Sequence, residues 1–283
     1  MRLTLTLASS RYHCLRIEVM NNLQTGKSEM TQNGHWQNRV AIVTGGSSGI
    51  GKATALALVA QGAKVLVTGR NDEKLAEVAA MSDAIATLRA DSADAESGAQ
   101  TVGAATSKWG RLDLVVNNSG AGQPLLMAAY DANIIAHMSA VNIVAPSLLV
   151  KASHTALRES KGAIVNIGTA VTQNAAPMLA HYAATKAALD HLTKSWAIEL
   201  AGDGIRVNAV APGPVKTGAL TGMMGLPDEM AQQIENQEAA QVPLGRRGVT
   251  DDIVPWILRL GRSDNAWLTG QILTVDGGWS LRN

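Results

Sequence analysis

Tyr182 and Lys186, in the run Tyr182-Ala-Ala-Thr-Lys186, are spaced to put a phenol and an ammonium on one face of a helix. A tyrosine ordinarily keeps its proton to about pH 10. A neighbouring positive charge stabilises the phenolate and lowers that pKa, so the pair reads as a general acid/base for near-neutral pH. The chain has only three tyrosines, which gives this placement weight. Thr169 stands thirteen residues before the tyrosine and adds a hydroxyl that both donates and accepts.

Such groups need a frame, and the pattern from Arg39 onward supplies one. Short apolar runs at 39–43, 64–68, 84–90, 112–116, 162–167, 205–210 and 271–275 predict strands. Helical stretches fall between them at 50–61, 72–81, 94–109, 134–160, 182–201 and 250–261. Pro255 is compatible with the last helix only if it lies in the first turn. The alternation predicts an α/β fold, a doubly wound parallel sheet of Rossmann type with helices on both faces, built as a single domain over residues 37–283. Residues 1–36 read as a separate extension, a disordered tail or the product of an upstream start, with Met20 or Met30 as the natural one.

The first strand runs directly into Thr44-Gly-Gly-Ser-Ser-Gly-Ile-Gly51 and then a helix. Gly45 allows the tight turn, Gly49 lets backbone approach a pyrophosphate, and Gly51 lets the helix pack close to the strand. With Ser47, Ser48 and Ile50 they make a phosphate cradle at a helix N-terminus, whose free N–H groups and dipole favour an anion. An NAD site wants an acidic residue at the end of the second strand. This chain has Gly69-Arg70 there, and a guanidinium pairs with a 2′-phosphate. NADP(H) is therefore favoured over NAD(H). Asp91 and Ser92, after the third strand, stand where an adenine edge is held.

The 283 residues are 46% hydrophobic and 17% charged, with a formal net charge of +1. That balance gives no global case for binding nucleic acid or a membrane. No uninterrupted apolar run approaches the ~20 residues of a membrane span. A single cysteine, Cys14, excludes an internal disulfide and fits a reducing, cytoplasmic compartment. The six histidines show no metal-ligand spacing, so no metal is expected.

Taken in order, the glycine-rich turn, Asn117-Asn-Ser-Gly120, Asn142, Tyr182-Ala-Ala-Thr-Lys186, Pro212-Gly213 with Thr217, and Thr269-Gly-Gln near Asp276-Gly-Gly278 resemble the short-chain dehydrogenase/reductase family. The resemblance runs from about Asn38 to Trp279. It implies reversible hydride transfer between NADP(H) and a small carbonyl or secondary alcohol. Tyr182 would be the general acid/base and Thr169, where the family has serine, would hold the substrate oxygen. Lys186 would bind the nicotinamide ribose and lower the tyrosine pKa, and Asn142 would hold a water in the proton relay. It also implies that Asn118 and Gly120 border the adenosine half, and that Pro212, Gly213, Val215 and Thr217 close over the carboxamide. Residues 216–243 would form the lid beside the site, and the long helices would be buried in a homotetramer. A 3-oxoacyl-[acyl-carrier-protein] reductase is one alternative, with Arg246, Arg247 and Lys151 as a basic docking patch. A non-catalytic NADP(H) sensor or scaffold is another.

Overall fold

The computed structural model describes residues 34–281, so most of the expected extension, its alternative starts Met20 and Met30, and Cys14 lie outside them. Seven strands form one sheet: β1 (Val40–Val43), β2 (Lys64–Gly69), β3 (Ile85–Arg89), β4 (Leu114–Asn117), β5 (Ala163–Ile167), β6 (Arg206–Pro212) and β7 (Ile272–Val275). Their order is β3-β2-β1-β4-β5-β6-β7, and every pairing is parallel. The helices are α1 (Gly49–Ala60), α2 (Asp72–Ala79), α3 (Ser97–Trp109), α4 (Ala132–Ser139), α5 (Ala145–Ser160), α6 (Ala180–Glu199), α7 (Asp228–Gln241) and α8 (Thr250–Gly261). This is the doubly wound sheet that the sequence predicts.

The sheet stands because its central strands are buried along both faces and mostly apolar. In β1, Ala41 and Val43 join a core with α1 and α8, while Val40 and Ile42 join a second core with α3, α5 and α6. Such two-sided burial is what makes central parallel strands read as unbroken apolar runs. The folded body takes in more of the N-terminal side than the sequence boundary allows. Trp36, placed in the extension, is buried at 2% exposure in the first core. The strand order reverses between β1 and β4, and ligands of open α/β sheets bind at the strand ends beside such a reversal.

Two helical expectations need correction. The single helix over 134–160 is α4 and α5 joined by a π turn, Ala140–Val144, in which the Ala145 N–H reaches the Ala140 carbonyl five residues back. Pro146 has no N–H to offer the Asn142 carbonyl, so the α pattern cannot pass through this point. The combined run Ala132–Ser160 is also long and apolar enough, by length and composition, to cross a membrane. The count of uninterrupted apolar residues missed it because polar residues such as His137 and Asn142 are scattered through it. Here α5 packs on α3 and on β4. Pro255, in turn, is the sixth residue of α8 and not in its first turn. It lies on the exposed side, where water can satisfy the carbonyl it leaves without a donor.

Candidate active site

The glycine-rich turn is held by backbone that only glycine adopts readily. Gly45 and Gly49 have φ of 61° and 52°. A Cβ on Gly51 would strike Asn118 Nδ2 and stand 2.6 Å from the Gly45 carbonyl. Asn118 is the strut of this turn: its Nδ2 donates to the Thr44 and Gly45 carbonyls at 2.8 and 3.1 Å. The Thr44 hydroxyl accepts from the Asn118 and Ser119 N–H groups, both at 3.0 Å. Ser48 is the N-cap of α1 but makes no side-chain cap bond, and the first turn holds no acidic residue. The N-terminus with Ser47, Ser48 and Ile50 therefore fits an anion. Thr217 reaches this turn from the far side, 3.4 Å from where a Gly49 Cβ would lie.

Arg70 follows β2 on the surface, and Asp91 and Ser92 follow β3 at the same edge. The Asp91 carboxylate accepts from Ala93 N at 3.0 Å. Asp72, the nearest acidic residue after Arg70 in sequence, is paired with Arg89 at 3.3 Å. A crevice lined by Thr44, Thr68, Ser92, Ser119 and Asn142 continues from this edge toward α5.

Beyond β5 the chain brings the four candidate catalytic residues together. Asn142 lies in the π turn and is 1% exposed. Its Nδ2 donates to the Ala121 carbonyl at 2.7 Å and to the Thr185 hydroxyl at 2.9 Å, and its Oδ1 accepts from Ala121 N at 2.9 Å. Thr185 in turn donates to the Tyr182 carbonyl at 2.8 Å. The asparagine thus pins the loop after β4 to the start of α6. Lys186 Nζ donates to the Ile167 carbonyl at 2.8 Å. Both Lys186 Nζ and Asn142 Oδ1 flank Gly120, at 3.6 and 3.7 Å from where its Cβ would be. A Cβ at Gly122 would come 2.9 Å from the Tyr182 ring and 3.4 Å from Met223.

The electrostatics of this cluster differ from the sequence expectation. Tyr182 is pushed above the usual tyrosine value, because burial outweighs the opposing hydrogen bond with Thr169. Lys186 does not reverse that: its ammonium is directed to the Ile167 carbonyl, and burial lowers its own pKa to about 8 against the field of Asp190. Thr172, the other threonine nearby, turns away. Its hydroxyl lies 3.0 Å from the Thr169 carbonyl and 3.2 Å from the Asp190 carboxylate. Sequence reasoning missed Asp190, although it sits one further turn along α6 in line with Tyr182 and Lys186. That spacing was the available signal.

At the C-terminal side, Gly213 N bonds to the Val275 carbonyl at 3.0 Å, and a Cβ there would meet Asp276 at 2.5 Å. Pro212 ends β6, and Val215 pairs with Gly248 in a parallel bridge. His181 meets Tyr130 edge-on, with ring centroids 4.5 Å apart. Of the basic patch expected at Arg246, Arg247 and Lys151, Lys151 is exposed and the other two are engaged within the protein. Arg246 is held by both oxygens of Asp252 at 2.7 and 2.9 Å, and Arg247 is buried. Among the described residues no group of three or more histidines, cysteines or acids is placed to hold a metal.

The family model described as Enoyl-(Acyl carrier protein) reductase matches residues 45–280. An uncharacterized oxidoreductase of Mycobacterium tuberculosis is 36% identical over 252 residues, 87% of this chain and 94% of that protein. A Caenorhabditis elegans short-chain dehydrogenase/reductase of unknown function, solved with cofactor, is 34% identical with a TM-score of 0.83, over 88% of this chain and 97% of that one. The 3-ketoacyl-(acyl-carrier-protein) reductase of Brucella melitensis, complexed with NADH, is 29% identical with a TM-score of 0.79, over 87% and 99% of the two chains. The chain belongs to the short-chain dehydrogenase/reductase family, NAD(P)-dependent oxidoreductases that act on alcohol and ketone groups.

Proposed function

We propose that this chain interconverts a carbonyl compound and the secondary alcohol using NADP(H), with Tyr182 as the general acid/base. The convergence of Asn142, Thr169, Tyr182 and Lys186 around the Gly120–Gly122 loop carries the reading. The glycine cradle at α1 fits the pyrophosphate, because side chains at Gly45, Gly49 or Gly51 would be strained or fill it. When bound, the nicotinamide supplies or accepts the hydride at the substrate carbon.

In reduction Tyr182 gives its proton to the substrate oxygen as negative charge develops there. A phenol pushed upward by burial arrives at neutral pH holding that proton. Thr169, hydrogen-bonded to the phenol, is placed to hold the same oxygen. Lys186 keeps a cation near the ribose position and beside Gly120. Asn142 fixes the loop that covers the tyrosine. Arg70 and the absence of an acidic residue at the end of β2 support NADP(H) over NAD(H). Cys14 as the single thiol supports a cytoplasmic compartment, and exposed Val144 on the π turn and Ile198 on α6 are consistent with a homotetramer.

The Brucella relative favours a second reading, reduction of 3-oxoacyl thioesters. One assay decides among these and a non-catalytic sensor: consumption of NADPH and of NADH across a ketone, sugar and acyl-thioester panel. The parent protein should turn over at least one class with NADPH preferred. Tyr182→Phe should bind NADPH as the parent does and lose activity by about two to four orders of magnitude. Thr169→Ala should lose most activity while Thr169→Ser keeps it. Parent-like turnover by Tyr182→Phe would remove the assignment, and tight NADPH binding without turnover would favour the sensor.

A further inference from the structure

We propose that Arg247 is a positioning residue, a buried clasp that holds the lid helix α7 against the segment that closes over the cofactor. The inference rests on the NAD(P)(H) reading of the site. Arg247 is 4% exposed, whereas most long cationic side chains among the described residues lie at the surface. Its Nη2 donates to the Val215 carbonyl at 3.0 Å. Its Nε and Nη1 face Glu238 and Glu235 of α7, Glu238 at 3.0 Å. These two contacts meet the carboxylates off the N–H directions, so they are ion pairs rather than directed hydrogen bonds.

The arginine is well anchored on the body of the protein. Arg246 before it is clamped to Asp252 at the start of α8. Gly248 after it donates to the Pro214 carbonyl and accepts from Lys216 N, both at 2.8 Å. The same guanidinium therefore touches the closing segment with one nitrogen and the lid with two others. Glu235 and Glu238 lie on one side of α7 and repel each other; burial also pushes Glu238 upward. Without the cation these carboxylates would face the body unpaired, and removing one partner of a buried ion pair is strongly destabilising. The front of the lid has lighter ties: Met223 lies over Gly120 and Gly122, and Met230 is exposed. Losing the clasp leaves the lid closed for a smaller fraction of the time, and a ligand that needs the closed form then binds more weakly by that fraction. Once bound, it restores closure, so turnover at saturation changes little.

The test compares the full chain with Arg247→Gln and with the double variant Glu235→Gln/Glu238→Gln. Three quantities are read: NADPH dissociation constant by tryptophan fluorescence, kcat and KM, and thermolysin cleavage within residues 219–230 of the cofactor-free protein. The clasp predicts a dissociation constant and KM raised about tenfold, kcat within about threefold, faster cleavage, and protection restored by saturating NADPH. Parent-like binding and cleavage in Arg247→Gln, or a fall in kcat with unchanged KM, would overturn it. Should Arg247→Gln not fold, the double variant decides by the same readouts. If the parent binds neither NADPH nor NADH, the functional reading fails, and cleavage of the cofactor-free chains still judges the clasp.

Discussion

Lys186 enters the interior with its ammonium on the Ile167 carbonyl, and burial lowers its pKa from 10.5 to about 8. The unfolded chain therefore binds a proton between about pH 8 and 10.5 that the folded chain has lost. Stability contributed by this residue rises with pH across that window, and below pH 8 the full penalty of a buried cation, about 3 kcal/mol, is present. Lys186→Met should unfold at higher urea than the parent at pH 7, by up to a few kcal/mol, and the gain should shrink toward pH 10.5. Equal differences at both pH values would show that the lysine is not strained by burial. The variant should be inactive, as expected where function is retained at a cost in stability. Tyr182 and Lys186 were legible as a helix pair. The direction of the tyrosine pKa was not, because its burial involves the loop at Gly122, which is distant in sequence.

At the scale of elements, the turn between β1 and α1 shows how spacing becomes geometry. Gly51 has no room for a methyl group because Asn118, from the end of β4, fills the space against it. Gly51→Ala should lower the melting temperature, at a cost of about 1–3 kcal/mol, and weaken NADPH binding tenfold or more. Gly103→Ala on α3 is the control: nothing lies within 4 Å of its Cβ position, so it should be neutral or more stable by up to about 1 kcal/mol. Calorimetry and fluorescence titration would measure both. Glycine spacing pointed to the tight turn, but not that an asparagine over sixty residues later is its partner. The π turn was legible in principle, since Pro146 cannot donate to the Asn142 carbonyl. Hydrophobic periodicity hid it, because the apolar stripe continues through the break. Pro255 was misjudged for a related reason: the rule against internal proline weakens where the lost bond faces water.

The molecule as a whole leaves apolar residues on its outer helices. Val144 on the π turn is 48% exposed and Ile198 near the end of α6 is 81% exposed. These are single exposed residues rather than a contiguous patch, so the four-chain assembly is tested and not read from them. Sedimentation velocity should give a particle of four chains, and Val144→Glu should shift it to smaller species while leaving the secondary structure intact. A parent that sediments as one chain would refute the tetramer. By itself the sequence determined the strand and helix alternation, the glycine-rich turn and the Tyr182–Lys186 pair, because these depend on short-range spacing and on residue chemistry. Only the tertiary structure decided the rest: the inward turn of Arg247 away from an exterior patch, Asn118 as a strut, Trp36 in the core and the burial that raises Tyr182. Each depends on which distant segment excludes water from a given side chain, and no local pattern carries that information.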